Sequence, residues 1–192
     1  ALATPYLIYR GEFFRIDRNS AGLRAIKTSS WELDLGFSGS LGGGSTAIKA
    51  RQGMPSLGTL IEAGPRVKWT ITDVSNWGHW RAELPIRAVL DLSDRAAHKG
   101  WSTEPKLVFD GQPIGGWRYS ASVSAVVADR AFASTVYEVT SAQAMAGRAA
   151  YTAKSGLMAT RLSATVSRPL TPDWTLFGVA RLDTVSGAAN ES

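Results

Sequence analysis

From Trp31 to Leu41 every second residue is apolar or small: Trp31, Leu33, Leu35, Phe37, Gly39 and Leu41. The residues between them (Glu32, Asp34, Gly36, Ser38, Ser40) are acidic, hydroxylated or glycine. A period of two is a strand with one apolar and one wet face. The run exceeds the roughly 5–6 residues of an ordinary strand and suits the ~9–11 that cross a membrane at a tilt. The same alternation recurs along most of the chain through turns and loops, with no helical crossovers, so neighbouring strands pair antiparallel. The fold expected is all-β: an antiparallel up-and-down transmembrane β-barrel, a meander with lipid outside and a polar lumen.

Tyr6 to Ile16 reads either as a hairpin about Gly11 or as one strand kinked there. Asp17 to Ser20 has turn chemistry, Gly22 to Lys27 is a short strand, and Thr28 to Ser30 turns it into the Trp31 strand. Leu41 to Gly58 is a long Gly- and Ser-rich loop. Further strands are expected at Thr59 to Thr72, Trp80 to Ser93, Trp101 to Asp110, Trp117 to Ala128, Met158 to Arg168 and Trp174 to Thr184. Asp73 to His79 and Asp94 to Gly100 read as loops. Pro85 inside its strand has to sit at a bulge or a weak pairing point. Thr140 to Gly147 breaks the alternation: Thr140 and Gln143 form a capping box and Gly147 a stop, which predicts one short loop helix near 140–147.

The 192 residues suit one domain, 1–192. No apolar run approaches the ~18 residues of a transmembrane helix, which leaves a barrel open. The absence of cysteine excludes disulfides and thiol chemistry. Net charge is +5, but Lys and Arg are dispersed singly along strands with no clustered patch or aromatic platform, which argues against nucleic acid. Phosphates of lipopolysaccharide would suit such a charge equally well.

Alternation alone does not say which face meets water, since a soluble sandwich or ligand-binding barrel has the same period with its apolar face inward. Three features favour lipid outside. Trp31, Trp80, Trp101, Trp117 and Trp174 stand near strand starts and Trp69 near a strand end, all on the apolar face, as in an interfacial aromatic girdle. The polar faces mix both signs of charge with serine and threonine. The strands are long.

Four segments in order resemble a known family. Thr4 to Gly11 with Phe13-Phe14 is similar to its early segment, and Pro55 to Pro65 to a second, in shortened form. Thr140 to Ala144 with Gly147 and Ala150-Tyr151 is similar to a third, and Leu170 to Trp174 with Leu182 onward to a fourth. Over nearly its whole length the chain resembles the MltA-interacting protein (MipA/OmpV) family of Gram-negative outer-membrane proteins. The resemblance implies an outer-membrane barrel in contact with lipid and lipopolysaccharide. It further implies a scaffold that brings a murein hydrolase (a lytic transglycosylase) together with a penicillin-binding protein; other members are described as porin-like or adhesive. It carries no catalytic motif and no cofactor onto these residues. Such proteins usually have a strand before the first segment and a closing strand with a terminal aromatic, so the first and last strands are expected to be missing or unpaired here.

Barrel lipases use histidine with serine. Ser93 and Ser102 lie near His98 in sequence, but nothing is placed to orient the imidazole, and His79 stands alone. The reading is therefore no enzyme, and two isolated histidines give no metal spacing. The lumen-facing charges are Glu62, Arg66, Lys68, Arg81, Glu83, Arg87, Asp91, Glu104, Lys106, Asp110, Arg118, Arg161 and Arg181. They either set the ion preference of a pore or pair across neighbouring strands and fill the lumen of a barrel of about ten to twelve strands. We favour the second. The Gly42 to Gly58 loop and the Thr140 to Gly147 helix are the candidate partner contacts, because loops carry function on a rigid scaffold.

Overall fold

The computed structural model describes residues 9–10, 14–17, 20–40, 53–55, 57–75, 77–171 and 174–186. Its first element is a hairpin, β1 (Tyr9–Arg10) against β2 (Phe14–Asp17), with Tyr9 opposite Ile16. Of the two readings of Tyr6 to Ile16, the hairpin is the one observed. Next comes β3 (Ser20–Lys27), which turns through Thr28 into β4 (Trp31–Ser40), the alternating run. The Thr28 hydroxyl accepts the Trp31 N–H at 2.9 Å and closes that turn. The fourth strand pairs with β5 (Leu60–Ser75), setting Glu32 opposite Lys68 and Asp34 opposite Arg66. Unlike charges directly across a ladder favour this register, and a slip of one residue would turn every one of them outward.

The remaining strands are β6 (Gly78–Asp91), β7 (Ala97–Thr103), β8 (Lys106–Gly111), β9 (Arg118–Ala128), β10 (Gly156–Pro169) and β11 (Thr175–Val185). All eleven form one antiparallel sheet in chain order, with β7 and β8 end to end in a single lane between β6 and β9. Among the described residues no ladder joins β1 to β11. Chain segments that would precede or follow these strands, and most of the expected loop at 42–58, lie outside the described residues.

Three boundaries differ from the sequence reading. β5 runs on to Ser75 and β6 starts at Gly78, inside the expected Asp73 to His79 loop. The expected Asp94 to Gly100 loop is only a 3-10 turn at Leu92–Asp94 plus Arg95 and Ala96, both at positive φ, and the strand resumes at Ala97. The expected Trp101 to Asp110 strand is interrupted at Glu104-Pro105. Proline is the reason, and it has company. Pro65, Pro85 and Pro105 stand in neighbouring lanes at one height of the wall: Arg66 faces Pro85, while Ile86 faces Thr103 and Glu83 faces Lys106 on either side of the break. Each proline removes a ladder donor. The Thr103 hydroxyl compensates by donating to the Pro85 carbonyl. Pro85 thus occupies the weak pairing point expected of it.

The two faces of the wall differ in kind. Trp31, Leu35, Phe37, Val67, Leu84, Ile86, Val123, Leu162 and Val166 are exposed, whereas Asp34 and Lys68, on the other face, are 3% and 8% exposed. That inverts a soluble sheet, in which the buried face is the apolar one. The connections are also unequal at the two ends. One end carries 28–30, 76–77, 112–117 and 170–174, all short, and is called the turn end here. The loop end carries the short 92–96 turn and the two long connections, 41–59 and 129–155.

The second of those long connections folds. An α-helix, α1 (Arg130–Tyr137), opens on Asp129, whose carboxylate accepts the Phe132 N–H at 2.9 Å. Ala133 on it packs with Ala128, Ala153 and Met158 in a small apolar core. The sequence reading had no helix here. At 140–147 the expected loop helix is a single 3-10 turn, Ser141–Gln143, in which Gln143 Oε1 accepts the Thr140 N–H at 3.0 Å. Gly147 (φ +86) belongs instead to the tight turn bridging Met145 and Arg148.

Candidate functional site: the polar lumen

The inward faces of β4, β5, β6, β8, β10 and β11 send charges to meet one another. Arg66 donates to both oxygens of Asp34, at 2.8 Å from Nε and 2.7 Å from Nη2, a bidentate fork. Lys68 Nζ bridges Asp34 at 2.7 Å and Glu32 at 2.9 Å. Arg81 pairs with Glu83 and, at 3.1 Å, with Asp110. Together these groups form an ion-pair ladder across β4, β5, β6 and β8 in the half nearer the turn end.

Beyond it, toward the loop end, lies a chamber of about 640 Å³ lined by Glu62, Arg66, Glu83, Arg87, Glu104, Lys106, Arg161 and Arg181. Arg161 joins Glu104 at 2.8 Å and Asp183 at 3.0 Å, and Arg87 reaches Glu62 at 3.3 Å. Phe132 of α1 is part of the lining, so the helix covers the chamber from the loop end. Gly100 makes that seat possible: a Cβ there would overlap Asp129 Oδ1 and the Phe132 amide. Burial raises the Tyr137 phenol above its ordinary pKa, so α1 presents a neutral hydroxyl.

Two of the sequence-selected charges stand apart. Asp91 serves the 3-10 turn at the loop end, where its side chain accepts the Ser93 N–H at 2.9 Å. Arg118 is exposed at the start of β9. The sequence list also omits Asp34 and Asp183, although each is a hub. Asp34 was visible as the wet half of the Trp31 alternation, and Asp183 lies two residues beyond Arg181, in the same phase.

Of the six girdle tryptophans, Trp31, Trp69, Trp80, Trp117 and Trp174 lie at the turn end, and Trp101 at the loop end beside His98. Trp31 and Trp69 face each other across the ladder with rings stacked at 5.4 Å and 9°. Trp80 packs on Phe109, and Arg168 lies over Trp117. A double-mutant cycle of Trp31→Leu with Trp69→Leu is expected to give a coupling of about 1 kcal/mol in denaturant unfolding. Strictly additive losses would reduce the stack to a by-product of register.

The histidines do not assemble with serine. His98 lies edge-on to Trp101, Ser93 Oγ accepts the Thr59 N–H at 2.9 Å, and Ser102 Oγ donates to Glu62 at 3.0 Å. His79 approaches Asp110 at 3.6 Å. Among the described residues, no group of three or more His, Cys, Asp or Glu is arranged to hold a metal ion.

The model of one protein family, described as MltA-interacting protein MipA, matches residues 1–192, the whole chain. The chain belongs to the MipA family. Curated proteins and solved structures yield no match. An antiparallel β meander is therefore the architecture of this MipA-family chain, and the family's description names an interaction rather than a reaction.

Proposed function

We propose that the chain is a transmembrane barrel of the Gram-negative outer membrane, in contact with lipid and lipopolysaccharide, and acts as a scaffold for peptidoglycan-remodelling enzymes. Its partners on this reading are a lytic transglycosylase, as the family's description suggests, and a penicillin-binding protein. The observation that carries the membrane setting is the inverted wall. Exposed Leu, Val, Phe and Trp on one face with buried Asp34 and Lys68 on the other suits an outside of hydrocarbon. In water so continuous an apolar surface would drive aggregation. The tryptophans at strand ends fit the two headgroup levels. The ion-pair ladder and α1 obstruct the lumen and favour a scaffold over an open pore.

Outer-membrane barrels keep short turns on the periplasmic side. On that rule the turn end faces the murein, and α1 and the Ser141–Gln143 turn face outward. A periplasmic enzyme then meets the 112–117 connection, where Ile114 is 65% exposed in a tight turn bridged to Trp117. That moves the partner contact away from the long loops favoured by sequence. The test is capture of a purified lytic transglycosylase by the full chain in micelles, with Ile114→Glu as the interface variant. Retention by wild type and loss of most retention in Ile114→Glu are expected. Failure of wild type to retain the enzyme refutes the scaffold.

The chamber of about 640 Å³ favours a second reading, a porin-like channel. Planar-bilayer recording separates the two. Steady open-channel current would make the inward charges selectivity residues, and a silent inserted barrel is the outcome expected of the scaffold.

A further inference from the structure

The chamber has more cationic groups than its carboxylates satisfy. Lys106, Arg161 and Arg181 share Glu104 and Asp183 between them. Arg161 and the Ser124 hydroxyl both donate to Glu104 Oε1 at 2.8 Å, and Lys106 Nζ stands 3.6 Å from the same oxygen, an ion pair longer than a hydrogen bond. Among the described residues Arg87 has only long contacts, 3.3 Å to Glu62 and 3.3 Å to the Ser38 hydroxyl, and its buried Nε has no partner. Lys106 and Arg87 line the same cavity and lie within electrostatic reach of each other. A buried guanidinium nitrogen with no acceptor among the described residues, beside an ammonium held only at ion-pair distance, is costly unless something else accepts from them.

We propose that the luminal chamber is a binding site for a small oxyanion, a phosphate or carboxylate of a soluble metabolite. The Arg87 guanidinium and Lys106 Nζ are its principal donors, and Arg161 sits alongside. Phosphate geometry suits the pairing: the guanidinium offers a directional fork and the ammonium a point charge. Glu104 acts as the internal competitor, holding Arg161 and part of the Lys106 charge when no ligand is bound. The site is independent of the scaffold reading, since a barrel that captures no enzyme still has this chamber.

The experiment is isothermal titration of inorganic phosphate into the full chain folded in detergent micelles, with wild type beside Arg87→Gln, Lys106→Gln and Glu104→Gln. Wild type is expected to bind saturably at one site. Arg87→Gln and Lys106→Gln should each weaken binding about tenfold or more, the usual size for a lost charge-assisted hydrogen bond. Glu104→Gln should tighten it, because neutralising the competitor frees Arg161 and Lys106. No saturable binding by wild type overturns the proposal, as does binding indifferent to Lys106→Gln. Glu104→Gln keeps the test decisive if the Arg87 variant does not fold: unchanged or weaker affinity there also overturns the proposal.

Discussion

Asp34→Ala is expected to destabilise the protein by about 3–5 kcal/mol, the range for removing one partner from a buried ion pair. The size comes from what stays behind. Asp34 is 3% exposed and accepts the Arg66 fork as well as the Lys68 ammonium, so its loss strands Arg66 in the inner wall and leaves Lys68 with one carboxylate fewer. Lys68 retains Glu32, and among the described residues Arg66 retains only Glu83 at 3.9 Å. Chemical unfolding of the micelle-folded protein measures the loss. Asp34→Leu combined with Arg66→Met should recover much of it, because a hydrophobic replacement of a whole ion pair is close to neutral. A single variant that unfolds like wild type would mean that water reaches Arg66 freely.

The second large effect concerns the seat of α1. Gly100→Val is expected to release the helix and raise the rate of limited proteolysis within 129–155 by at least tenfold. Gly100 has φ +125, a conformation that costs a β-branched residue on the order of 1–3 kcal/mol. The added Cβ would also collide with Asp129 Oδ1 and the Phe132 amide. Removing the Asp129 cap costs about 1 kcal/mol more. With Phe132 withdrawn, the chamber loses its cover at the loop end, while the ion-pair ladder still obstructs the lumen nearer the turn end. Unchanged cleavage would mean that Ala133, Ala153 and Met158 hold the helix without the Gly100 contact.

The sheet was legible because a period of two leaves few alternatives: from Trp31 onward the strands fall within a few residues of where alternation puts them. What resisted reading was punctuation of another kind. The break at Glu104-Pro105 is invisible to a pattern count, because both halves keep the same phase and the same neighbouring lanes. Helix α1 was hidden by Ser134, Thr135, Val136 and Tyr137, residues that read as strand, although Asp129 offered a cap. At Thr140 the capping box was real, yet two capping hydrogen bonds cannot extend a helix whose next residues have no apolar face to bury. For the lumen, alternation identified most of the charges but not their partners. Pairing depends on which strands are neighbours and in what register, and that is fixed by ladders between residues far apart in the chain. Asp34 gained its importance from Arg66 and Lys68 across the ladder, Asp183 from Arg161 twenty-two positions earlier.

The line of prolines through β5, β6 and the β7–β8 break has a mechanical meaning. Where three neighbouring lanes each lack a donor at one height, bending stiffness falls, so the wall behaves as two panels joined along a crease. The ion-pair ladder braces the panel toward the turn end, and α1 braces the other through Gly100. On the proposed membrane reading, a bilayer that thins or thickens loads the barrel along its axis. That strain collects at the crease, leaving the geometry of both panels intact.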